Sequence, residues 1–110
     1  MEKRRIFVLC KNLLFCRALG TVIQGAEVEV VGVDTNGPRA LESIKLLKPE
    51  IVVVETGEES VLLDNLLPYL VRENPGGKII GVTQNEIDVY YGHQRRVTKA
   101  EHLLQVITEA

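Results

Sequence analysis

The chain has 110 residues, room for one domain with a core of ordinary size and none for a second. Hydrophobic residues make up 45% of it but aromatic residues only 5%, so the core has to be assembled from Val, Ile and Leu, as in sheet strands and the helices laid on them. Thirteen basic against fifteen acidic residues give a formal charge of -2, which excludes a general electrostatic attraction to nucleic acid or to an anionic membrane and leaves room only for a local basic patch.

The chain opens on a charged segment, Met1 to Arg5, but the apolar run Ile6 to Leu9 behind it is too short for a secretory leader or a membrane span. A cytoplasmic protein with no membrane partner is expected. Arg5 to Cys10 (RIFVLC) reads as an interior strand, and Asn12 as the N-cap of a helix over Leu13 to Gln24, with Leu14, Ala18, Leu19 and Val22 near one face and Gly20 allowing close backbone approach. Cys10 and Cys16 lie on one short segment where a disulfide would constrain little, so buried reduced thiols are expected. Gly25 stops the helix. Glu27 to Val33 alternates charge with valine, as a strand nearer an edge does, and Asp34-Thr35-Asn36-Gly37-Pro38 is a turn leading into a helix through Leu47. Lys48-Pro49 ends that helix, and Glu50 to Glu55 is a strand buried on both faces at the centre of a parallel sheet. A helix through about Arg72, interrupted by Pro68, precedes the loop Asn74-Pro75-Gly76-Gly77 and the strand Lys78 to Thr83.

This alternation predicts a three-layer, doubly wound, mainly parallel sheet with helices on both faces, in one domain over residues 1–110. Beyond Thr83 only Gln84-Asn85-Glu86 precede the apolar segment Ile87 to Tyr91, too few residues for a parallel crossover. An antiparallel hairpin is expected there, the alternative being a loop or an irregular helical turn over residues 84–91, with a second strand near Arg95 to Thr98 and then an amphipathic helix from about Lys99 to Glu109.

Ligands of parallel α/β sheets bind at strand C-termini, which here carry Cys10-Lys11-Asn12, Asp34-Thr35, Glu55-Thr56-Gly57 and Thr83-Gln84. Glu55 and Asp34 could ligate a cation, but Lys11 places a positive charge at the same rim, and the plainer expectation is a half-exposed Glu55 paired with Lys11. No glycine-rich phosphate loop follows the first strand, and His93 and His102 are too few for a histidine zinc site. Arg95, Arg96 and Lys99 with Tyr90 and Tyr91 form the one local basic and aromatic cluster, which suits a protein partner ahead of nucleic acid.

The order of elements and the stretches IFVLCKNLLFCRALGTVI, EVEVVGVDTNGPRALESIKLLKPEIVVVE, KIIGVT and GHQRRVTKAEHLLQVI resemble the receiver domain of bacterial response regulators, over nearly the whole chain except residues 84–91. The resemblance implies a flavodoxin-like fold in which the hairpin replaces the family's fourth helix. It places the family's acidic metal-binding pair on Cys10 and Lys11, its phosphoacceptor aspartate on Glu55, its switch threonine on Thr83 and its lysine on Arg96. A glutamate with no metal pair beside it is not a phosphoacceptor, so the resemblance implies a non-enzymatic regulatory or scaffolding domain without magnesium or other cofactor. Its action would run through protein contact or homodimerisation over Ile87, Val89, Tyr90, Tyr91, Arg95 and Arg96. A second expectation is a small-ligand or enzymatic site at Cys10, Asp34, Glu55 and Thr83.

Overall fold

Apolar runs bounded by turn residues form the strands, and the longer amphipathic stretches between them form the helices. The computed structural model describes residues 3–25, 27–55, 68–69, 72, 77–82, 86–91, 94–99 and 103–108. Within them the order is β1 (Arg4–Leu9), α1 (Leu13–Ile23), β2 (Val28–Asp34), α2 (Gly37–Leu47), β3 (Ile51–Glu55), β4 (Lys78–Val82), β5 (Glu86–Tyr91), β6 (Gln94–Lys99) and α3 (Leu103–Thr108). Pro68, Tyr69 and Arg72 are helical; the remainder of the helix expected before Arg72 lies outside the described residues.

The strands make one six-stranded sheet in the order β2-β1-β3-β4-β5-β6. The first four in that order are parallel, β5 runs antiparallel to β4, and β6 antiparallel to β5. The mixed α/β architecture with a parallel core is therefore present, and β3 lies in the sheet interior between β1 and β4. Alternate residues of the central strands serve opposite faces. Ile6, Val8, Ile51 and Val53 join a cluster completed by Cys16 and Ile23 of α1 and by Leu103, Val106 and Ile107 of α3. Phe7, Leu9, Val52 and Val54 join Ala40 and Ile44 of α2 on the other side. This two-sided burial is why these strands read as unbroken apolar runs, and each enclosed Val or Ile side chain contributes about 1.5–3 kcal/mol relative to exposure.

Helix ends follow local chemistry. Asn36 caps α2 by accepting the Arg39 N–H at 2.9 Å, with Pro38 just inside the start. At the other end Lys48 takes a left-handed conformation, φ 49°, and its N–H returns to the Ile44 carbonyl, so Pro49 follows a closed cap.

The buried face of α1 differs from the expected one. Cys16, Gly20 and Ile23 are buried and Leu19 is half-buried, whereas Leu14 (79% exposed), Ala18 and Val22 (68% exposed) face outward. A helix apolar nearly all round carries no clear phase, and the core took the face with the smaller side chains. Gly20 is not needed for close approach, since a Cβ there would meet Val30 and Val33 no nearer than 3.8 Å. The glycine that makes room is Gly32, where a Cβ would lie 2.7 Å from the Phe7 ring.

Candidate functional site

The strand order reverses at β1 and β3, whose C-terminal ends bound the crevice where open α/β sheets place ligands. Glu55, the last residue of β3, is half-buried there, and its Oε1 accepts the Lys11 main-chain N–H at 2.7 Å. The expected Glu55–Lys11 pairing thus exists, but it runs through the backbone amide while Lys11 itself is exposed. One residue further, Asn12 Oδ1 accepts the Leu14 N–H at 2.8 Å and caps α1 as expected.

Cys10 lies at the same rim but faces the core, fully buried with Cys16. Both thiols are free. Burial pushes the Cys10 thiol well above its ordinary range, helped by its hydrogen bond with Cys16 and the nearby Glu55 charge. Cys16 is likewise raised, chiefly by burial, and its Sγ lies 3.6 Å from both the Val8 and Asp34 carbonyl oxygens. These are protonated structural thiols, the state least suited to nucleophilic attack.

Asp34, at the end of β2, is committed as well. Its Oδ1 accepts the Thr35 and Asn36 N–H groups at 2.7 and 3.0 Å, and Arg39 forks onto the carboxylate with Nε 2.8 Å from Oδ2 and Nη2 2.7 Å from Oδ1. The Arg39 hydrogen bonds hold the Asp34 carboxyl far below the usual carboxylate range, aided by the two backbone donors and opposed by burial. The Cys10 N–H donates to the Asp34 carbonyl at 3.1 Å, so the ends of β2, β1 and β3 are laced together in sequence. Asp34 is therefore the anchor of the β2–α2 turn and not an open ligand. Among the described residues no three His, Cys, Asp or Glu side chains converge as metal ligands.

Comparison with known protein families, curated proteins and solved structures gave no match.

The remaining expected site residues are dispersed. Thr83 lies outside the described residues. Arg96 is on β6, three strands from β3 and so about 14 Å across the sheet at ordinary strand spacing. It is not a neighbour of Glu55, because β5 is inserted between β4 and β6. Ile87 and Val89 are wholly buried opposite Val82 and Ile80, which makes them core residues and removes them from any docking surface. Tyr90, Tyr91, Arg95 and Arg96 are placed by strand and register, with Arg95 opposite Tyr90 and Arg96 opposite Val89.

Sequence reasoning missed two polar anchors. Arg39 lies in the first turn of α2 and Lys78 opens β4. Lys78 is buried, and its Nζ donates to the Val106 carbonyl of α3 at 2.6 Å. A lysine opening the run KIIGV was the available signal, since a cation beside an apolar strand has to find acceptors. Among the described residues no helix is long and apolar enough to cross a membrane.

Proposed function

We propose that the chain is a non-catalytic, receiver-like regulatory or scaffolding domain that acts through protein contact and does not accept a phosphoryl group. The observation that carries the reading is Glu55, whose carboxylate is held by the Lys11 N–H at the position the resemblance assigns to the phosphoacceptor. Beside it, the positions of the acidic metal pair hold a buried thiol, Cys10, and an exposed cation, Lys11. A metal able to neutralise an incoming phosphoryl group has no carboxylates from those two positions. The parallel order β2-β1-β3-β4 with helices on both faces supports the family reading, and the β5–β6 hairpin takes the place of the fourth helix. The partner-facing element is this hairpin, which ends the sheet and carries Tyr90, Tyr91, Arg95 and Arg96, in a cytoplasmic setting. The partner is another protein or a second copy.

Two measurements test the reading. Incubation with acetyl phosphate and magnesium, followed by intact mass measurement, is expected to give no phosphoryl adduct; an acid-labile adduct on a carboxylate would refute it. Crosslinking pull-down with the full chain is expected to recover a stoichiometric partner that the folded Arg95→Glu/Arg96→Glu variant loses. Equal recovery by both would move the contact surface away from the hairpin.

A further inference from the structure

Among the described residues the sheet ends on one side at β2, whose sequence, VEVVGVD, is rich in the valines that favour strand pairing. A strand of that kind at a sheet margin is a template for adding another chain. Which of its main-chain groups point outward follows from its bonds to β1. The Glu27 carbonyl accepts the Arg4 N–H at 2.8 Å and the Asp34 carbonyl accepts the Cys10 N–H at 3.1 Å, so Glu27 and Asp34 face inward. Their neighbours Val28 and Val33 therefore face outward, and so does Val30, two residues beyond Val28 and ahead of the register slip.

The chain closes this edge itself. Gly25, in the turn that leaves α1, donates to the Val28 carbonyl at 3.2 Å and accepts the Val28 N–H at 3.4 Å. Gln24 directly follows α1 and stays tied to it by its own N–H on the Gly20 carbonyl, at 2.9 Å. Its side-chain Oε1 accepts the Val30 N–H at 2.8 Å. Past Val30 the register with β1 slips and leaves Val31 as an extra residue, a bulge that bends the strand away from an even ladder. With Val28 closed by main chain and the ladder interrupted at Val31, the Val30 N–H is the donor that an added strand would have to take. A single exposed side chain holds it.

The side chains of β2 do not themselves oppose a second copy. Laid antiparallel about a two-fold axis at Val30, two such strands set Val30 against Val30, Glu29 against Val31 and Glu27 against Val33. No like charges stand opposite, and β-branched residues meet at the centre. We infer that Gln24 is a guard on the β2 edge: by occupying the Val30 N–H it keeps the chain from pairing with a second copy of itself through β2. The bond is made by one neutral, exposed side chain, so it can open without disturbing α1, whose end is closed by main-chain bonds. The inference is independent of the hairpin reading, which concerns the opposite side of the sheet.

Amide exchange and sedimentation velocity on the full chain test it. In the wild type the Val30 amide is expected to exchange at least about tenfold more slowly than an unstructured amide. Gln24→Ala removes the acceptor and should lose that protection in dilute solution, whereas Gln24→Glu keeps an acceptor at the same reach and should retain it. As concentration rises, Gln24→Ala is expected to associate with a dissociation constant at least about tenfold below that of the wild type, and Val30 protection should return in the associated form. An unprotected Val30 amide in the wild type would overturn the inference. So would equal association of the wild type and Gln24→Ala through any surface, association of Gln24→Ala that leaves Val30 unprotected, or a Gln24→Glu protein whose Val30 amide exchanges as fast as that of Gln24→Ala.

Discussion

Asp34 shows how one side chain can fix a turn and set an acid limit on the fold. Its carboxylate is almost enclosed, at 9% side-chain exposure, and Arg39 and the Thr35 and Asn36 amides all favour the ionised form. A carboxyl whose folded pKa is depressed stabilises the fold fully above the ordinary carboxylate pKa, near 4, and that contribution is lost as pH falls below it toward the folded value. Urea midpoints of the wild type are therefore expected to fall steeply below about pH 4. Asp34→Asn should start lower at neutral pH and show a shallower acid limb, and parallel profiles for the two proteins would count against this role. The turn itself was legible in Asp34-Thr35-Asn36-Gly37-Pro38, because those residue types carry local backbone preferences. Arg39 as the partner was not, since a contact across five positions depends on the completed turn. The same limit applied to Cys16, whose carbonyl partners Val8 and Asp34 come from two different strands.

At the scale of elements, α3 depends on its surroundings. Its described residues are held by Leu103, Val106 and Ile107 in the core and by the Lys78 side chain on the Val106 carbonyl. Lys78→Met keeps the apolar stem and deletes the donor, and is expected to lower stability by about 1–3 kcal/mol, with faster amide exchange over Leu103–Thr108. A change in urea midpoint too small to measure would show that the contact contributes little. Element existence was readable wherever periodicity and punctuation agreed, as with β3 and α2. The facing of α1 was not, because Leu14, Ala18 and Val22 make as good an apolar stripe in sequence as Cys16, Gly20 and Ile23 do in the core.

At the scale of the whole molecule, the hairpin was legible for a geometric reason: three residues between Thr83 and Ile87 cannot carry a chain back across a sheet. Its effect on the site was harder to foresee. With β5 next to β4, β6 is the last strand of the sheet among the described residues, and Arg96, which the resemblance sets on a pocket lysine, lies on it. The expected Glu55–Lys11 pairing is present through the backbone, and Arg96 stands three strands away from it. The Glu55–Lys11 contact bears on how freely the chain can change. The donor is a main-chain N–H, and every residue type but proline brings one. Position 11 can drift through charge, size and polarity with the strand ends still tied, and a proline there is the one exchange that unties them.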